Sequence, residues 1–194
     1  MKHFFLREKR LQVFDGVYEP REDSYLLAEA VKIVPYAVCL DLGCGTGIQG
    51  INMLLQGAKK CVFSDINHIA LDNAKENVRE TGFEEKAEFV ESSLFEKISG
   101  KFDCIAFNAP YVVSEKIEHA DTDGGEHGRK ILDAFLKQFP KHLNKTGHCF
   151  FLQSSLNGIG ETEEMLNSND FEYKIVARQK LFFEEILVFK AWKS

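Results

Sequence analysis

From Ala37 onward the chain alternates short apolar runs with segments of helical period, and this alternation restricts its fold more than any other feature. Strand-like runs occupy residues 37–41, 60–65, 87–91, 102–107 and 147–153. Between them, residues 47–56, 67–81 and 130–143 place apolar side chains three and four apart, the spacing of one helix face. Asn67 is a natural N-cap for the second of these helices and Gly82 its stop. Residues 21–34 read as a further amphipathic helix, ended by Pro35. The tail changes character: residues 172–178 and 185–192 are two strand-like runs only a few residues apart, which predicts an antiparallel hairpin. The expected fold is α/β, with a seven-stranded, mostly parallel sheet, helices on both faces and an antiparallel C-terminal hairpin. With 194 residues and no linker or repeat, the simplest organisation is one domain over residues 1–194. In such sheets ligands bind beyond the carboxyl ends of the strands, near the switch in strand order. Asp41, Asp65, Ser93 and Asn108 all fall at or just past such ends, which points to one active site.

Charge and cysteine usage narrow the partners. A net charge of −6 argues against a free-standing nucleic-acid binder, because backbone neutralisation dominates such affinity. A local basic groove over residues 2–10 is compatible with that total. The apolar runs are too short to cross a bilayer, and the N-terminus lacks the apolar core of a signal peptide. Five cysteines without a C-x-x-C pair read as buried thiols in a reducing, cytoplasmic setting. The polar run 119–127 has neither the spacing of an EF-hand loop nor that of a zinc site, so no metal is expected there. Phe4, Phe5 and Phe14 fall outside the sheet pattern and are expected to be exposed.

Two local motifs carry chemistry. Asp41-Leu42-Gly43-Cys44-Gly45-Thr46-Gly47 follows a strand and opens a helix, where glycines permit a tight turn and close approach to a ligand. Gly45, Gly47 and Gly50 also satisfy G-x-G-x-x-G, with Asp65 near the distance of a ribose-binding carboxylate. Two details oppose a dinucleotide. Asp41 would repel a pyrophosphate but could accept a bond from an amino-acid ammonium, and the tail hairpin is unlike the second half of a dinucleotide domain. Asp65 could instead serve the following helix terminus, and Cys44, without an obvious base, reads as a packing residue. The second motif, Asn108-Ala109-Pro110-Tyr111, ends a buried strand. An amide nitrogen is a poor nucleophile because its lone pair is delocalised. The Asn108 side-chain oxygen and the Ala109 main-chain oxygen can hold its two hydrogens, Pro110 stiffens the loop, and Tyr111 offers a flat stacking face. The bland alternative is a strand-ending turn, which N-x-P commonly marks.

In this order and spacing, DLGCGTG, SDIN and NAPY resemble the class I S-adenosylmethionine-dependent methyltransferases that methylate amino nitrogens. The opening segment VYEPREDSYLL over 17–27 and GEHGRK over 125–130 are similar to the HemK-related release-factor glutamine methyltransferases, in their short archaeal/eukaryotic branch. The resemblance implies S-adenosyl-L-methionine as cofactor. Its expected contacts are Pro20, Asp23, Ser24, Asp41, Gly43, Cys44, Gly45, Gly47, Asp65, Ile66, Ser93, Leu94 and Asn108. Residues 1–35 would form an extension and helix covering the cofactor. Asn108, Ala109, Pro110 and Tyr111 would bind the substrate amide, with Asn108 and Tyr111 catalytic. The implied substrate is the glutamine of a Gly-Gly-Gln motif in a peptide-chain release factor. The implied partner is a small zinc-binding activator that adds a strand to the sheet at Ala87–Glu91. Two departures stand out: Ala109 replaces the usual proline, and Ser93 stands where an aspartate often meets the adenine amine. Two alternatives stay open: methylation of an exocyclic amine of adenine or cytosine in nucleic acid, and a cofactor-binding scaffold or regulatory subunit.

Overall fold

The computed structural model describes residues 2–110 and 128–194. Tyr111 and the polar run 119–127 lie outside the described residues. Nine strands and five α-helices are found among them: β1 (Lys2–Leu6), β2 (Lys9–Val13), α1 (Glu22–Ala30), β3 (Val38–Leu42), α2 (Ile48–Leu55), β4 (Lys60–Asp65), α3 (His68–Thr81), β5 (Ala87–Glu91), β6 (Phe102–Asn108), α4 (Lys130–His142), β7 (Leu143–Ser154), α5 (Ile159–Ser168), β8 (Phe171–Lys180) and β9 (Glu185–Lys193). The main sheet has seven strands in the order β5-β4-β3-β6-β7-β9-β8. Six run in the same direction, and β9, between β7 and β8, runs antiparallel to both. The expected sheet and C-terminal hairpin are present, and β5 stands at an edge as expected.

Strand alternation divides the core. In β6, Cys104 and Ala106 face one hydrophobic cluster and Ile105 and Phe107 the other. In β7, Phe150 and Leu152 take the first side, Cys149 and Phe151 the second. Side chains of α1, α2 and α3 close the first face, while α4 and α5 close the second. The chain steps from β3 outward to β5 and then returns to β6 on the other side of β3, so the strand order switches between β3 and β6. Leu42 pairs with Phe107 there, and Asn108 lies one residue beyond.

Three regions differ from expectation. Helix α1 stops at Ala30, well short of Pro35. Past it, Val31 is extended, and the side chain of Gln56 bonds both the Val31 carbonyl and the Ile33 N–H, replacing helical partners. Residues 2–13 form a separate hairpin, β1–β2, with Phe4, Leu6, Leu11 and Val13 buried on one side. Phe4 is thus in the core and Phe14 half-buried, while Phe5 is exposed. Two of its cations have partners: Lys2 pairs with Glu19 and Arg7 reaches Asn52. The backbone of β2 is received by helix α3: Gln12 N donates to Asn77 Oδ1 and Phe14 N to Asn73 Oδ1, each at 2.8 Å. The amide of Asn77 also donates to the carbonyls of Gln12 and Thr46, joining the hairpin to the glycine loop. Helix α5 is the third element without a sequence-based expectation. Among the described residues no helix is long and apolar enough to cross a membrane.

Candidate active site

The strand-order switch opens on the glycine loop. Gly45 (φ +52°) and Gly47 (φ +81°) adopt left-handed backbone that side chains disfavour. A Cβ on Gly45 would meet nothing within 4 Å, so the loop presents open backbone there. A Cβ on Gly50 would lie 2.1 Å from Phe63 Cε1, so that glycine serves close packing of α2 on β4. Two carboxylates brace the loop. Asp65 Oδ2 accepts from Gly45 N and its Oδ1 from Asn67 N, both at 2.9 Å. Asp41 Oδ2 accepts from Gly50 N at 2.7 Å and is only 1% exposed. Burial pushes the Asp41 carboxyl well above its ordinary range; the Gly50 N–H opposes this and the Asp65 charge adds to it. Asp41 therefore acts on the loop from beneath. Cys44 is buried, and burial together with Asp41 and Asp65 raises its pKa well above the ordinary value, which makes it an inert packing thiol.

Beyond β4 and β5 lie Ile66, 62% exposed, and the half-buried Ser93 and Leu94. Ser92 N donates to the Asp65 carbonyl, and its hydroxyl bonds the Leu94 carbonyl and Lys97 N. Leu94 is held at φ +46°, a strained conformation for a branched side chain. Apolar and hydroxyl groups thus form a wall at the ends of β4 and β5.

On the other side of the switch, Asn108 Nδ2 donates to Asp23 Oδ2 at 3.1 Å and to Ser24 Oγ at 3.4 Å. Asp23 is 3% exposed and is fixed by Ser24 N at 2.6 Å and by the Tyr18 hydroxyl at 3.1 Å. Gln49 Nε2 secures the Ser24 carbonyl from helix α2 at 2.9 Å. A carboxylate cannot donate, so Asp23 decides which way the Asn108 amide faces. Among the described residues, Asn108 Oδ1 is then left as a buried acceptor without a partner. Such an atom is costly unless a donor arrives with a ligand. Pro20 and Ala109 are buried beside these groups in sequence, and Pro110 is half-buried. The structure brings Asp23, Ser24 and Asn108 into direct contact, and Asp65 into contact with the glycine loop. Tyr18 and Gln49 belong to the same network but were given no role from sequence; Tyr18 lies inside the segment 17–27, so its position was the available signal.

The methyltransferase small domain family model matches residues 19–183, most of the chain and both sides of this switch. The chain belongs to that family. A Methanocaldococcus jannaschii protein, provisionally named a protein N5-glutamine methyltransferase, is 42% identical over 190 residues covering 95% of each chain. A release factor glutamine methyltransferase of Agrobacterium fabrum is 36% identical over 118 residues, 56% of this chain and 41% of its own. Among solved structures, the E. cuniculi Mtq2–Trm112 complex, described as responsible for methylation of the eRF1 translation termination factor, has a chain similar to this one. That match has TM-score 0.71 and 25% identity, covering 92% of this methyltransferase and 99% of that chain.

The donor set suits S-adenosylmethionine. Open left-handed backbone at Gly45, a carboxylate at the end of β4 and an exposed Ile66 can receive an amino-acid moiety, a ribose and a ring face in turn. On the other side of the switch, the Asn108 oxygen adds a buried acceptor without a partner among the described residues.

Proposed function

We propose that this methyltransferase transfers a methyl group from S-adenosylmethionine to the side-chain amide nitrogen of a glutamine, that of the Gly-Gly-Gln motif in a peptide-chain release factor. The observation that carries the reading is the buried Asn108 Oδ1, turned away from Asp23 and without a partner among the described residues, an acceptor that an N–H donor would satisfy. The names of the relatives agree with it.

When bound, S-adenosylmethionine supplies an electrophilic methyl on a sulfonium, so no metal and no covalent enzyme intermediate is needed. Gly43, Cys44, Gly45 and Gly47 line its methionine part, with Asp41 behind them at the end of β3, bonded to Gly50 N. Asp65 and Ile66 take the ribose and one ring face, and Ser93 and Leu94 the adenine. Pro20, Asp23 and Ser24 cover the cofactor from the N-terminal segment, within a single domain over residues 1–194 of which 1–35 form the cover. Asn108 Oδ1 and the Ala109 carbonyl each accept one amide hydrogen, which aims the nitrogen and stabilises the positive charge it gains during attack. Pro110 stiffens this loop and Tyr111 stacks on the amide plane. The extra proton leaves to water after transfer, since none of Asn108, Ala109 or Pro110 is a base near neutral pH.

The Mtq2–Trm112 complex supports a partner chain here too, and we propose that it is a small zinc-binding activator. Strand β5 is its proposed seat, because an edge strand offers unpaired backbone for augmentation. A cytoplasmic setting fits the five free, buried cysteines. The test is label transfer from methyl-labelled S-adenosylmethionine, with and without the activator, to a release factor and to DNA and RNA. Label on the factor alone is expected. Label on nucleic acid alone would replace the amide by a base amine, and cofactor binding without transfer to anything would reduce the chain to a scaffold.

A further inference from the structure

The four residues joining β8 to β9 are Leu181, Phe182, Phe183 and Glu184. Tight turns favour glycine, proline, asparagine, aspartate and serine. Here two phenylalanines stand 90% and 86% exposed, edge-on to each other at 4.6 Å, and neither joins the core on either face. The turn is nonetheless firmly built. Leu181 N donates to the Glu184 carbonyl at 2.8 Å, Ser155 N to the Glu185 carbonyl at 2.7 Å, and Glu185 N to Ser155 Oγ at 3.0 Å. The Ser154 hydroxyl also bonds the Glu184 carboxylate. Leu156, 59% exposed, lies in the same loop as Ser155, its N–H bonded to the Ser154 hydroxyl that also bonds Glu184. Two adjacent aromatic side chains turned to water on a hydrogen-bonded turn cost the fold solubility and add nothing to its core, which is the signature of a contact surface.

Its place in the sheet says what it contacts. Ile186 pairs with Ser154 at the carboxyl end of β7, and Leu152, two residues earlier, pairs with Asn108. The turn therefore stands on the same edge as Asn108. With strands roughly 4.8 Å apart, β9 and β8 put it on the order of 10–15 Å to the side, within one protein footprint. Next to the turn, between α1 and Gln179 near the end of β8, lies an open cleft lined by Glu19, Arg21, Glu22, Tyr25 and Glu29 as well. Its charges are acidic in balance, three carboxylates against one guanidinium, with Lys2 bound to Glu19.

We propose that Phe182, Phe183 and Leu156 form the ledge on which the protein substrate docks, through an apolar patch of that substrate flanked by basic residues that meet Glu22 and Glu29. This rests on the release-factor reading above: a glutamine delivered by a folded protein needs contact beyond the amide itself. Rigid aromatic anchors supply it at little entropic cost.

The experiment compares the wild type with the double substitution Phe182→Ser, Phe183→Ser, and separately with Leu156→Ser. Methyl transfer is measured on the whole release factor and on a short Gly-Gly-Gln peptide. Binding of the whole factor, and of S-adenosylmethionine, is read by calorimetry. The double variant should raise KM and Kd for the whole factor at least about tenfold. Its kcat, its rate on the peptide and its cofactor affinity should match the wild type. Unchanged KM and Kd for the factor in an active variant would overturn the ledge and leave the substrate reading intact. A wild type that neither binds nor methylates the factor would overturn both. Lost self-association or lost vesicle binding in the variant, with factor affinity unchanged, would assign the patch to a second copy or a lipid surface and overturn it as well.

Discussion

The two sides of the strand-order switch are built by different means. The cofactor side is backbone: left-handed glycines, with Asp65 bonded to Gly45 N in the loop and Asp41 to Gly50 N in the first turn of α2. The acceptor side is side chain: Tyr18, Asp23, Ser24 and Asn108 in one buried relay. A change on the first side should therefore disturb folding and cofactor binding together. A change on the second, at Asn108, should strike turnover while the fold and the glycine loop stand.

Asn108→Ala gives the sharpest contrast. Removing one acceptor of transition-state charge should lower kcat about 10²- to 10³-fold. Cofactor affinity and Tm should barely move, and a parallel collapse of cofactor binding would break the contrast. Asp23→Ala should follow, because the Asn108 amide loses the charge that orients it. A hydrogen bond to a charged group contributes about 1.5–3 kcal/mol, which corresponds to a kcat loss of roughly 10- to 100-fold. Single-turnover rates at saturating cofactor would separate this effect from any change in cofactor affinity. On the other side, Gly50→Ala drives a Cβ into Phe63 and should cost about 1–3 kcal/mol in urea unfolding. Cofactor affinity should fall with it, since α2 carries the loop.

The smallest effect concerns pH. Burial holds Asp41 above the ordinary value of 3.8, so the folded chain takes up this proton more readily than the unfolded one. The resulting stability is full below the unfolded value and is lost as pH rises through the folded one. Asp41→Asn keeps an acceptor for Gly50 N and removes the titration. Wild type should thus lose stability relative to Asp41→Asn as pH rises from the ordinary carboxylate value through the raised one, and parallel stability profiles would contradict the raised value.

What the sequence disclosed follows from locality. The strands of the main sheet, the Asn67 cap and the Gly82 stop are written in neighbouring residues, and Asn67 does accept from Ile69 N while Gly82 turns left-handed. The glycine loop and the tetrad are equally local. The β1–β2 hairpin escaped because its apolar residues alternate with charges over a short, basic segment, and it is anchored by Asn73 and Asn77 of a distant helix. Helix α5 buries little beyond Thr162 and Leu166, too thin a stripe to show a period. The Asp23–Asn108 bond spans 85 residues, so no spacing rule could reveal that the N-terminal segment sets the orientation of the tetrad's amide.

The measurement that bears most directly on this account is mass-spectrometric location of the methyl group after incubating the methyltransferase with S-adenosylmethionine and a release factor. The account predicts one added methyl on the side-chain nitrogen of the Gly-Gly-Gln glutamine, absent with Asn108→Ala. A methyl on any other residue, or the same product from Asn108→Ala at the wild-type rate, would contradict it.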